Sequence, residues 1–175
     1  ILEQEIIMGR EIRRVPANWQ HPTYANPYHG EVMKPLLNRD FAAEAADWDA
    51  QAAAWDRGER PDYFDATKYG AISFIDYHGE RPDRERYVPY DVNGDLPWFQ
   101  MYETVSEGTP VTPAFATADE LIEHLATFGE RYDDRTGSGP WDRERAEQFV
   151  RNEKWFPSFV MQGAAMYDAK SGMPE

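Results

Sequence analysis

The sequence predicts an α+β fold: a single compact domain with a small, mainly antiparallel sheet, about three helices and long proline-rich loops. Three observations carry this. The apolar pattern changes between the helical and the strand period along the chain, without the regular strand–helix alternation of βαβ units. Thirteen prolines and twelve glycines punctuate it into short segments. The apolar fraction is only 41%, but it includes 6 Trp, 10 Tyr and 9 Phe, and each such side chain can bury about 150–250 Å². A folded core is therefore expected in spite of a mean hydropathy of -0.77, a value that acidic disordered chains also show.

The elements follow in order. Residues 1–7 (ILEQEII) precede Met8-Gly9 and read as a non-native or upstream extension, leaving 8–175 as the domain. Residues 10–15 read as a first strand ended by Pro16. Residues 16–38 hold Pro16, Pro22, Pro27 and Pro35 and read as an ordered irregular loop pinned by Trp19, Tyr24 and Tyr28. The spacing then predicts a helix over 40–57, with Asp40 as N-cap and Phe41, Ala45, Trp48, Ala52 and Trp55 on one stripe. Gly58 and Pro61 stop it. The run 71–75 (AISFI) reads as a short strand, and 98–105 alternates as another. Ser106-Glu107-Gly108-Thr109-Pro110 breaks that strand before an extended 111–113. Thr117 and Glu120 form a capping box that opens a helix closed by Gly129. Residues 130–139 read as a polar loop. Pro140 is placed at N1 of a third helix, 140–153. Residues 159–167 suggest a terminal hairpin.

Charge separates the chain into parts. The whole carries 32 acidic and 18 basic groups, a formal -14. Residues 1–39 sum to +1, residues 40–95 to -8 and residues 96–175 to -7. So negative a chain is not expected to bind DNA or anionic lipid non-specifically, and no apolar run has the length of a membrane span. With no cysteine there is no disulfide, thiolate metal site or cysteine nucleophile.

Motifs of chemistry are sparse. His21, His29, His78 and His124 show no HExxH or HxH spacing, so no metal or other cofactor is expected; His21, before Pro22, reads as a hydrogen-bonded loop anchor. Asp133-Asp134 and Glu103/Glu107 are the nearest carboxylate pairs for acid–base work. In so acidic a chain they read as solvated surface. Thr136 to Pro140 could form an anion nest but lacks a P-loop lysine. No catalytic residue is assigned. Two candidate binding groups remain. Arg10, Arg13 and Arg14, with Trp19, His21, Tyr24 and Tyr28, could cradle a phosphate and stack a base; the alternative is that the arginines pair with the acidic body. Ser106, Glu107, Gly108 and Thr109 form a candidate recognition loop; the alternative is a plain turn.

REIRRVPANWQHP near the start, WDAQAAAWDRG in the first helix and FQMYETVSEGTPVTPAFATADELIEHLA in the second half resemble a family of uncharacterised accessory proteins of tailed phages and prophages. The terminal WFPSFVMQG is similar too, with Gln162-Gly163 where that group more typically has Asn-Gly. The resemblance implies a small protein made in the cytoplasm of an infected bacterial host, and assigns no residue a role. The leading expectation is a non-enzymatic accessory protein that binds and inhibits or redirects a host protein with a basic surface, an anti-defence function with DNA mimicry as its concrete form. Alternatives are a binder or hydrolase of a small anionic nucleotide signal, and a virion or assembly component. A homodimer is compatible with either binding role.

Overall fold

The computed structural model describes residues 9–104, 108–132 and 139–152, and the backbone of strand residues 156–157, 159–162 and 165–168. The chain order is β1 (Gly9–Val15), β2 (Thr23–Asn26), β3 (Gly30–Met33), α1 (Phe41–Asp56), α2 (Ala66–Tyr69), α3 (Phe74–His78), β4 (Trp98–Glu103), β5 (Thr109–Pro110), α4 (Ala118–Phe128), α5 (Arg143–Asn152), β6 (Phe156–Pro157), β7 (Phe159–Gln162) and β8 (Ala165–Asp168). This is the α+β class that the sequence predicts. The contacts divide the chain into two compact units: residues 1–36 with 93–175, and residues 37–92.

The first unit is built on a four-stranded sheet in the order β5-β4-β1-β6. Each neighbouring pair is antiparallel. In the β1–β4 register Arg10 faces Glu103, Ile12 faces Met101 and Arg14 faces Phe99. Strand residues two apart share a face, so these six side chains lie on one side of the sheet. Glu11, Arg13 and Val15 lie on the other, with Trp98, Gln100 and Tyr102. Helices α4 and α5 cover the first side. Their Leu121, Ile122, Leu125, Ala146, Phe149 and Val150 close a buried cluster with Met101 and Trp141. Full burial of each large apolar side chain is worth about 1.5–3 kcal/mol. The Thr117–Glu120 capping box opens α4 as expected, and Gly129 ends it. α5 starts later than the proline suggests: the Asp142 carboxylate accepts from Arg145 N, so Asp142 rather than Pro140 sets the start.

Two further departures come from local hydrogen bonding. Residues 16–38 are not irregular throughout, because β2 and β3 pair as a hairpin. Its turn is set by Asn26, whose Oδ1 accepts from Tyr28 N and His29 N. Such an Asx turn is not visible to apolar periodicity. β7 and β8 form the expected terminal hairpin.

The second unit, residues 37–92, is helical and aromatic. Asp40 caps α1 by accepting from Ala43 N. The predicted stripe faces inward: Ala45 and Trp55 are buried, with Phe41, Trp48 and Ala52 half-buried. The run 71–75 is not a strand. Ser73 Oγ accepts from Asp76 N and donates to Asp76 Oδ2, which nucleates α3 at Phe74 instead. That local cap outweighs the β propensity of a run too short to show a period. The ends of the unit meet where Leu37 N donates to the Arg86 carbonyl and Val88 N to the Leu37 carbonyl.

Candidate binding site

The structure does not bring the N-terminal candidates together. Strand alternation sends Arg10 and Arg14 to one side of β1 and Arg13 to the other. Each is engaged internally. Arg10 bonds the buried Glu130 at 2.8 Å and Glu103 at 3.2 Å. Arg13 bonds Glu11 and the Leu36 carbonyl, both at 2.6 Å, and stacks 4.2 Å from the Tyr102 ring centroid. Arg14 donates to the carbonyls of Leu96 and Pro97 and lies 4.0 Å over Phe99. Of the three, Arg10 pairs with carboxylates of the acidic body, the alternative that the sequence left open; Arg13 and Arg14 are held mainly by main-chain carbonyls and rings. Tyr24 and Tyr28 stand on the β2–β3 hairpin, and Tyr28 is 89% exposed, so neither pins the segment.

Trp19 and His21 do meet, in a polar network behind the sheet. Trp19 Nε1 donates to the Tyr102 hydroxyl at 3.2 Å, and His21 Nδ1 lies 3.1 Å from the same oxygen. The hydroxyl donates to Gln100 Oε1 at 2.7 Å, and Gln100 Nε2 donates to the Thr112 carbonyl at 2.8 Å. His21 Nε2 faces the Lys34 carbonyl at 2.7 Å. Burial lowers the His21 pKa to about 4, against the raising effect of the Lys34 bond. Sequence reasoning found His21 as an anchor and missed Gln100, Tyr102 and Thr112. For Gln100 and Tyr102 the signal was the polar members of an alternating strand; Thr112 lies beyond it, in the extended segment after β5. His21, Gln100, Tyr102 and Thr112 are all buried, which makes the network a structural joint.

The candidate recognition loop is also partly internal. Gly108 is buried; Leu36 N donates to its carbonyl at 3.1 Å, and Thr109 belongs to β5. Ser106 and Glu107 lie outside the described residues, as do Asp133, Asp134 and Thr136 to Ser138. Glu103, half of the Glu103/Glu107 pair, is bonded to Arg10. No group of three metal-ligating His, Asp or Glu side chains occurs among the described residues, and none of their helices is long and apolar enough to cross a membrane.

What the sequence did not single out is a cavity of about 220 Å³ in residues 37–92. Its walls come from α1 (Gln51, Ala54, Trp55), the turn after it (Glu59, Arg60, Pro61, Tyr63) and α3 (Phe74, Tyr77, His78). The rings interlock: Trp55 stacks on Tyr77 at 4.9 Å and meets Phe64 edge-on at 5.2 Å. Phe74 stacks on His78 at 4.9 Å. Tyr63 is 81% exposed at the rim. The Arg60 guanidinium lies 3.8 Å over Trp55, with Nη1 bonded to the carbonyls of Trp55 and Glu59 at 2.7 Å. Partial burial holds the Tyr77 phenol above its ordinary pKa, so it stays neutral. The signal available in the sequence was aromatic density between Trp55 and Tyr77.

Around this cavity the surface is acidic. Residues 37–92 contain 13 carboxylates and 7 Lys or Arg, and all of those carboxylates except Glu44 are exposed. Some are neutralised locally: Arg81 grips Asp49 with two bonds of 2.8 Å and holds its pKa below the ordinary value. Arg57 does the same for Glu59 at 2.7 Å. No protein-family model matches the chain, and neither does any curated protein or solved structure.

Proposed function

We propose that this is a non-enzymatic binding protein whose acidic surface engages a basic surface on a host protein, in the manner of a phage accessory protein that blocks or redirects a host nucleic-acid-binding factor. The observation that carries this reading is the placement of charge. The arginines of β1 are consumed by internal partners, whereas the carboxylates of residues 37–92 stand in solvent. An exposed excess of one sign steers association with the opposite sign and raises on-rates. Exposed Tyr63 of the same residues supplies an aromatic anchor of the kind found at interface hot spots. Surfaces that bind nucleic acid are the commonest strongly basic surfaces in a bacterial cell, so mimicry of a nucleic acid is the form this reading takes. It is a reading of charge and exposure, and the phage setting rests on the sequence resemblance.

The reading is tested by affinity capture of bacterial lysate on the immobilised full chain, eluted with a salt gradient. A partner that binds at low salt, leaves as salt rises and is displaced from the chain by added DNA supports it. Capture that ignores salt, or no partner at all, refutes it. Proteomics of purified virions separates it from an assembly role, in which the chain would co-purify with particles.

A further inference from the structure

We infer that the aromatic cavity of residues 37–92 is a binding site for a small planar aromatic anion: one or two fused rings carrying a carboxylate or phosphate, with Arg60 as the anion's partner. This site opens within the acidic surface proposed above, sharing Glu59 and Tyr63 with it, and takes a ligand of the opposite sign to that surface's partner. A volume of about 220 Å³ suits a ring system of that size. Ala54, Pro61, Phe74 and Tyr77 supply apolar walls, and Gln51 and His78 supply polar groups beside them.

The sign of the charge follows from Arg60. Its Nη1 is spent on two main-chain carbonyls, which fix the guanidinium over Trp55. Its Nε and Nη2 donate to no group among the described residues. Arg39, Arg57 and Arg81 of the same unit are each paired with a carboxylate; Arg60 is not. Glu59, the carboxylate on the cavity wall, is taken by Arg57 at 2.7 Å. A fixed guanidinium with two donating groups left over is suited to a carboxylate or phosphate. A cation is disfavoured, since the Trp55 ring already carries Arg60 on it and Tyr77 stacked against it. An incoming cation would meet Arg60 instead of an open π face.

The surrounding negative charge opposes an anion at long range, and salt screens that repulsion. Because salt screens this repulsion along with the Arg60 attraction, anion affinity falls far less with salt than affinity for a basic protein partner. The two readings can thus fail independently.

The test uses three indole probes of matched shape on the full chain: indole-3-acetate, indole and tryptamine, titrated by calorimetry and saturation-transfer NMR at low and high salt. Indole-3-acetate is expected to bind at least about tenfold more tightly than tryptamine, the scale of one charge-assisted hydrogen bond. Arg60→Gln removes that advantage and leaves indole unchanged. Ala54→Leu fills the cavity from an α1 position without removing a packed ring, and weakens indole-3-acetate and indole alike. Circular dichroism confirms that both variants are folded. Absence of saturable binding, equal or tighter binding of tryptamine, or an indole-3-acetate affinity unchanged by either substitution overturns the proposal.

Discussion

The His21 imidazole and the Tyr102 hydroxyl, 3.1 Å apart, are joined by a bond for which the neutral state has too few protons. A carbonyl only accepts, so Nε2 must donate to Lys34, 2.7 Å away. In the neutral ring Nδ1 is then an acceptor. The single Tyr102 proton is claimed by Nδ1 and, at the shorter distance of 2.7 Å, by Gln100 Oε1. Protonating the ring would resolve the competition, because Nδ1 would then donate to the hydroxyl oxygen. Burial opposes this by more than the hydrogen bonds favour it, and the ring stays neutral down to a pKa of about 4.

The pH dependence of stability follows from that value. The folded chain takes up its His21 proton near pH 4, the unfolded chain near 6.5. Between them the unfolded state binds more protons, so acidification favours unfolding. The contribution is complete above pH 6.5, is lost progressively as pH falls and levels off near pH 4. The gap corresponds to roughly 3 kcal/mol as an upper figure. Urea midpoints measured across this window should fall for the native chain and fall distinctly less for His21→Gln. Parallel curves would remove His21 as the source.

The network should also behave as one unit. Tyr102→Phe deletes the hydroxyl that Trp19 Nε1, His21 Nδ1 and Gln100 Oε1 share, leaving buried polar groups short of a partner, at a cost of about 2–3 kcal/mol. His21→Gln leaves Tyr102 and Lys34 imperfectly bonded. Because both substitutions break the same joint, the double variant should lose less than the sum of the two single losses. Strict additivity in a double-mutant cycle would show that the groups act separately.

How far the sequence could be read depends on the range of the signal. α1 and α4 are legible because side-chain period and capping residues are local, and Asp40, Thr117 and Glu120 sit where the rules place them. β4 is legible from alternation, and β1 from a short run ended by Pro16. α3 is not, because its start rests on one reciprocal Ser73–Asp76 bond inside an apolar run. The N-terminal site misled for a geometric reason. Arg10, Arg13 and Arg14 are adjacent in sequence, but a strand sends neighbours to opposite faces, and their acceptors at Glu130, Leu36 and Pro97 are remote in sequence. The Trp55–Arg60–Tyr77 cavity was hidden in another way. Its residues are plain core formers one by one, and only the turn after α1 brings an arginine over the ring.

The Arg10–Glu130 pair is nearly enclosed, with side-chain exposures of 11% and 5%. Arg10→Met takes the cation from both Glu130 and Glu103 and should cost about 3–5 kcal/mol, whereas Glu130→Gln leaves Arg10 its bond to Glu103 and should cost less. Replacing both with apolar residues removes the enclosed charge at 130 as well as the attraction, and leaves only the more exposed Glu103 without the guanidinium. Arg10→Met combined with Glu130→Leu should therefore recover much of the loss. Equilibrium denaturation of the three variants checks this, and a double variant as unstable as the sum of the singles would contradict it.

Gly129 and Gly58 each follow a helix, and an added side chain costs them differently. Both have positive φ, +73° and +86°, where a side chain costs about 1–2 kcal/mol or more in backbone strain, and Gly129 combines this with a ψ of -149°, a region that only glycine readily occupies. At Gly58 an added Cβ meets nothing within 4 Å, so Gly58→Ala should show that cost and little more. At Gly129 the Cβ would fall 1.7 Å from the Gly139 carbonyl oxygen and 2.5 Å from its carbon. These are main-chain atoms, and no rotamer change can clear them. Gly129 also closes α4 and bridges to Gly139, so the backbone cannot shift without disturbing the link to the strand of chain before α5. Gly129→Ala should cost clearly more than Gly58→Ala, by about 2 kcal/mol or above. Thermal unfolding of the two variants under one buffer decides the point, and equal losses would mean that the 129–139 approach is looser than its geometry.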